Sequence, residues 1–121
     1  MSTRFVIDFN NMPKVSVLGK TSTGQGSTFV GERITCSLVT KKTGTGSKPH
    51  FHPDETFNYV LSGALQVDMD GEHFVVPTGC LLHIPANMVH NVVATTDGDA
   101  TYLVWRDRVG ELQGQPVLTE A

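Results

Sequence analysis

The stretch that most constrains this chain is Lys48-Pro49-His50-Phe51-His52-Pro53-Asp54-Glu55-Thr56, which carries two histidines one residue apart. Side chains alternate faces along a β-strand, so a strand here puts the His50 and His52 imidazoles on one face, close enough to share a metal ion. A mononuclear site needs a third ligand. His90 offers one, forty residues beyond His50, after the strand-like run Leu81-Leu82-His83-Ile84 and the turn residues Pro85-Ala86-Asn87. A lone buried histidine is more often a hydrogen-bonded core residue than a ligand. The pair and the third histidine together shift that balance toward a metal, and the competing reading is a site that has lost it.

The surrounding sequence reads as short strands cut by turns. Residues 4–9 have strand composition and are broken by Asn10-Asn11-Met12-Pro13; residues 14–18 suggest another short strand, and the Ser/Thr/Gly-rich residues 21–27 a loop. Residues 32–40 alternate apolar and polar, the pattern of a half-buried strand with Ile34, Cys36 and Leu38 on one side. Residues 41–48 form the loop that delivers the chain to the histidine pair. Strands are expected over 57–61 and 64–69, with Asp70-Gly71 as a hairpin turn into 72–76, because both turn positions take positive φ cheaply. Further strands are expected over 81–84 and 89–94, with Asp97-Gly98-Asp99 closing a second hairpin into 101–106. No segment sustains a 3.6-residue period with caps, so the chain reads as nearly all-β, a barrel or sandwich.

At these spacings the two histidine segments resemble the two motifs of the cupin superfamily. The first runs here as Gly44, five residues, His50-Phe51-His52, three residues, Thr56, six residues, Gly63; the second as Gly79, five residues, Pro85-Ala86-Asn87, two residues, His90. The resemblance implies a double-stranded β-helix, the jelly-roll cupin barrel, with one divalent metal at its centre on His50, His52 and His90. It does not imply one reaction. Three positions depart from the pattern. Thr56 stands where the family supplies a Glu, Gln or His ligand, Asn87 replaces a turn glycine, and Cys80 replaces an acidic residue. Asn87 is compatible with such a turn because Asn visits positive φ more readily than most residues.

A site of three neutral imidazoles keeps the full charge of the ion and leaves a position open, which suits Lewis-acid chemistry or oxygen activation. The reading taken from the sequence is therefore an Fe(II) dioxygenase-type enzyme acting on a small oxygen-bearing molecule. Zn, Ni, Mn or Cu are alternative metals, and redox-neutral isomerase, lyase or cyclase chemistry and non-catalytic small-molecule binding are alternative functions. Glu55, one residue before Thr56, is a candidate alternative ligand or base, and His83 a candidate proton donor, each also explicable as a surface residue. Thr56, Asn58 and Gln66 are candidate pocket contacts if strand parity runs unbroken from Thr56. His73, beside the hairpin turn, is expected to be exposed.

The 121 residues fit a single domain, with a core over about 27–106, an N-terminal arm over 1–18 and a C-terminal tail over 107–121. A net charge of −3 with scattered Lys and Arg gives no stripe for nucleic acid. No apolar run approaches the roughly 18 residues of a membrane span, and the N-terminus has no signal-peptide core, so a cytoplasmic protein is expected. Cys36 and Cys80 form no Cys-x-x-Cys pair and read as small buried hydrophobes. The resemblance implies an oligomer, since sheet edges and sequence arms are often covered by a partner subunit, and a homodimer is expected.

Overall fold

The structure, a computed structural model, describes residues 4–19 and 22–108. Among the described residues nine strands follow in chain order: β1 (Val15–Ser16), β2 (Gln25–Val30), β3 (Ile34–Lys41), β4 (Thr56–Ser62), β5 (Ala64–Met69), β6 (Glu72–Pro77), β7 (Leu81–Ile84), β8 (His90–Ala94) and β9 (Ala100–Asp107). They build two antiparallel sheets, one in the order β1-β2-β3-β9-β4-β7 and one in the order β6-β5-β8. The described residues thus form an all-β jelly-roll barrel, and none of their helices is long and apolar enough to cross a membrane.

The expected strand over residues 4–9 does not form. Asp8 instead caps a single 3-10 turn, Phe9–Asn11, by accepting from the Asn10 backbone at 2.9 Å and the Asn11 side chain at 2.7 Å. Phe5 and Val6, which suggested a strand, are exposed. Residues 25–27, expected in a loop, belong to β2, where Gly26 lies against Val39 in the register. Most of the expected tail, residues 109–121, lies outside the described residues.

Asp70-Gly71 forms the expected turn between β5 and β6, with φ of 54° and 76°. The turn at residues 97–99 is not a hairpin. β8 pairs with β5 in the three-stranded sheet while β9 pairs with β3 and β4 in the other, so this turn carries the chain across the barrel. Turn chemistry reports that the chain reverses, not which strand receives it.

Two features set the inner face. On β3 the buried residues are Thr35, Ser37, Val39 and Lys41, whereas Ile34 is 58% exposed and Cys36 and Leu38 are half-buried on the outer side. Ile34, Cys36 and Leu38 do share a side, but it is the outside. Between β4 and β5 the parity changes: Thr56, Asn58 and Val60 point inward, the register with β9 shifts between Val60 and Ser62, and Leu65 and Val67 then point inward. Gly63 makes the change possible, with φ of 75° and an added Cβ falling 2.3 Å from the Asp99 carbonyl oxygen.

The core is Val39, Val60, Leu65, Val67, Leu82, Ile84, Val92, Tyr102 and Val104 with their neighbours, lodged between the sheets. Each such aliphatic side chain contributes about 1.5–3 kcal/mol on burial. The core shares its face with a run of buried polar residues, and those residues lead to the site.

Candidate metal centre

The histidine pair does not lie on a strand. His50 forms an isolated antiparallel bridge with His90, and the chain enters β4 only at Thr56. The bridge carries two backbone hydrogen bonds, His50 N–H to His90 O at 3.0 Å and His90 N–H to His50 O at 2.9 Å. Asn87, at φ of 64°, donates its backbone N–H to His52 O at 2.7 Å, tying the second motif's turn to the first. Gly46 lets the arm come close: a Cβ there would meet the Val92 oxygen at 2.1 Å.

This framework brings His50, His52 and His90 together. Their ring centroids are 5.6, 4.5 and 4.9 Å apart, and their ligand nitrogens lie within 4.8 Å of one another. Each Nδ1 faces a backbone carbonyl: His50 that of Lys48 at 2.6 Å, His52 that of Asp54 at 3.0 Å, His90 that of Met88 at 2.7 Å. A carbonyl oxygen only accepts, so each Nδ1 carries the proton, and each neutral ring keeps its lone pair on Nε2. Fixing the tautomer through the second ring nitrogen is the usual arrangement behind a metal-binding histidine.

Burial of the rings acts in the same direction. Desolvation pulls His90 down from the ordinary 6.5 to about 4, against the opposing pull of the Met88 carbonyl, and it also lowers His50. The neighbouring imidazoles and Lys41 add smaller repulsions. Neutral imidazoles with free lone pairs, gathered from two distant segments, fit a divalent cation. The donor set suits Fe, Zn, Ni, Mn or Cu without choosing among them.

The other expected site residues divide. Thr56 and Asn58 are buried on the inner face, at 5% and 4% exposure, and Thr56 Oγ1 and Asn58 Oδ1 have no hydrogen-bond partner. Gln66 is exposed on the outer face, because the parity on which its candidacy depended is broken before β5. Glu55 and His83 meet each other rather than the triad. His83 Nε2 lies 2.7 Å from Glu55 Oε2, both half exposed, and the His83 ring stacks on Phe57 on the outside of the sheet. Thr56 and Ile84 are buried partners in the same ladder, so their neighbours Phe57 and His83 necessarily point away from the interior. His73 is exposed and bound to Asp68.

Several interior groups carried no signal in the sequence reading. Lys41 is fully buried, donates from Nζ to the Val92 carbonyl at 2.8 Å, and is pushed by desolvation down to about 7. Tyr102 is fully buried with an unpartnered hydroxyl, and Thr35 Oγ1 is unpartnered as well. The phase of the 32–40 alternation held a clue to Thr35, concealed by the apolar set on the other phase, whereas Lys41, expected in the 41–48 loop, is the last residue of β3. A cleft of about 520 Å³ between the β5–β6 turn and residues 88–91 reaches His90 from outside.

An all-β barrel with three inward imidazoles and a polar inner wall defines a class of metal-site barrels, and comparison with known proteins gives it a family. Residues 37–106 match the family model of the Cupin domain, and the chain belongs to that family. It is 34% identical over 86 residues to polyketide synthase CurC of Streptomyces cyaneus, covering 70% of this chain and 52% of that protein. The chain therefore spans about half the length of that relative. Among solved structures, the polyketide cyclase RemF of Streptomyces resistomycificus matches with a TM-score of 0.73 at 18% identity, over 84% of this chain and 77% of that one. KdgF of Halomonas sp. matches at 0.69 and 20% identity, over 81% and 87%. A cupin-superfamily sugar phosphate isomerase of Silicibacter pomeroyi matches at 0.71 and 21% identity, over 85% and 75%. These likenesses show the shared fold.

Proposed function

We propose that this protein is a metal-dependent cupin enzyme that binds a small, oxygen-rich organic molecule inside the barrel and rearranges it without net oxidation, as a cyclase or isomerase does. The observation that carries the reading is the triad itself, three tautomer-fixed neutral imidazoles beside a buried wall of polar atoms that lack partners. The names of the similar proteins, a polyketide synthase, a polyketide cyclase and a sugar phosphate isomerase, support redox-neutral work on polyoxygenated carbon over the dioxygenase chemistry expected from the open position alone.

His50, His52 and His90 would hold the ion, which supplies Lewis-acid polarisation of a carbonyl or enol oxygen. The chain contributes binding and orientation. Thr56 and Asn58 offer a hydroxyl and an amide whose buried atoms await a partner. Val60, Leu82, Ile84 and Val104 around them exclude water, which strengthens every polar contact in the pocket.

The test is turnover of a linear poly-β-ketone thioester and of a ketose phosphate by Zn(II)- or Mn(II)-loaded protein without oxygen, beside Fe(II)-loaded protein in air. Anaerobic product with unchanged mass, or with loss of water, supports the proposal. Products that gain two oxygen atoms, formed only with Fe(II) and oxygen, overturn it. The outward position of His83 favours a second reading, a non-catalytic small-molecule binding or sensing barrel. Saturable binding of either molecule with no turnover under any metal would establish that reading instead.

A further inference from the structure

We propose that Arg106, flanked by Thr35 and Thr56, forms a subsite for an acidic oxygen group, a carboxylate or enolate, of the molecule the barrel takes; this rests on the reading of the barrel interior as the substrate site. β9 runs between β3 and β4, and Arg106 stands opposite Thr35 on one side and Thr56 on the other. Directly opposed residues of an antiparallel sheet project to the same face, so the Arg106 side chain leaves the sheet on the inner face with both threonines. Thr35 and Thr56 are 1% and 5% exposed, and neither Oγ1 has a hydrogen-bond partner.

Unmet buried hydroxyls are costly to a fold, and two of them beside one arginine are accounted for by a ligand that meets them. Arg106 is half-buried, and none of the ion pairs among the described residues involves it. A guanidinium presents a planar fork of donors that matches the two oxygens of a carboxylate, and a threonine on each side adds a donor or acceptor for a further oxygen. Thr56 follows His52 by four residues, at the point where the chain leaves the triad and enters β4. A neutral ligand would satisfy the hydroxyls and leave the arginine's charge unmatched; an acidic one satisfies all three groups.

The experiment is calorimetric titration of zinc-loaded protein with benzoate and with benzamide, a planar pair that differs in charge. Benzoate is expected to bind the wild type about tenfold more tightly, a difference of about 1.4 kcal/mol. Arg106→Gln is expected to erase that preference with zinc content unchanged, and Thr35→Val to weaken benzoate several-fold. Arg106→Lys, which keeps the charge without the fork, is expected to weaken benzoate and leave benzamide alone, and it serves if the Gln variant does not fold. The titrations are repeated on metal-stripped wild type. A preference that persists there and vanishes in Arg106→Gln belongs to the arginine, whatever becomes of the metal reading. A preference that vanishes on stripping and survives Arg106→Gln belongs to the ion and overturns the subsite alone. Equal affinities in the wild type, or no benzoate binding, also overturn it.

Discussion

His50 and His90 exchange both backbone hydrogen bonds across one isolated bridge, at 3.0 and 2.9 Å, while their rings stand 4.5 Å apart on the inner side. Backbone and side chain therefore define the same contact twice. The bridge fixes the separation of the two rings, and the Lys48 and Met88 carbonyls, each two residues before its histidine, fix their rotation. The ligand geometry is carried by a handful of main-chain groups from the two motifs.

Removing either partner is expected to abolish stoichiometric metal. His50→Ala or His90→Ala leaves two imidazoles and frees a carbonyl that had a donor, and two ligands do not retain a divalent ion through dialysis against a chelator. Elemental analysis of untagged protein is the measurement. Full metal content in either variant means that the ligand set is wrong.

Protonation gives a second handle. His90 sits at about 4 and His50 below its ordinary value of 6.5 because burial disfavours their charged forms. In the unfolded chain these rings bind protons near 6.5, so below that pH the unfolded state takes up protons that the native state refuses. The part of the metal-free protein's stability that depends on keeping these two rings neutral is thus complete above about 6.5 and is lost as pH falls toward 4. Imidazole NMR titration is expected to show His90 neutral at pH 5.5 or so; a midpoint at or above its ordinary value contradicts the assigned burial.

How far the sequence disclosed this site follows from what each residue had to satisfy. His50, His52 and His90 were legible because the two motifs fix the spacing within each segment, even though the supporting element proved to be a bridge and not a strand. Asp70-Gly71 was legible because its positive φ values restrict residue choice. Thr35 and Lys41 were hidden because β3 reverses the rule that the apolar face points inward, burying Thr35, Ser37 and Lys41 while it shows Ile34 to solvent; Tyr102 was hidden because β9 is apolar on both phases there. Departures of that kind mark the working part of a protein. Gln66 was misplaced because its candidacy carried the parity of Thr56 across Ser62-Gly63, where the register shifts and the inward phase passes to Leu65 and Val67.

Thr56 offers a gain-of-ligand experiment. Its buried Oγ1 lacks a partner at the position where the motif would place a metal-binding carboxylate. In Thr56→Glu the new carboxylate is costly to bury alone and stabilised when an ion accepts it. The metal-free variant is therefore expected to be less stable than wild type by about 2 kcal/mol or more, and metal loading to raise its Tm further than it raises that of wild type. Competition against a chelator is expected to show at least about tenfold tighter binding, or about 1.4 kcal/mol, together with lower turnover. Unchanged affinity and turnover would show that this side chain does not reach the ion.

Lys41 supplies the last prediction. Burial lowers its amine from 10.5 to about 7, and its one hydrogen bond runs to the Val92 carbonyl at 2.8 Å. Below about 7 both folded and unfolded chains carry the proton, so the native state bears the whole cost of a buried charge. Between 7 and 10.5 the folded amine has released its proton while the unfolded one still holds it, and by linkage native stability rises with pH across that window. Lys41→Met fills the same space without a titrating group and loses the hydrogen bond. Urea denaturation is therefore expected to favour the variant most at pH 6.5 or so, with its advantage shrinking or reversing by about pH 9.5, since only the wild type gains stability as pH rises. Parallel curves for the two proteins across that range would mean that the Lys41 amine keeps its proton inside the barrel, balanced by a partner other than the Val92 carbonyl.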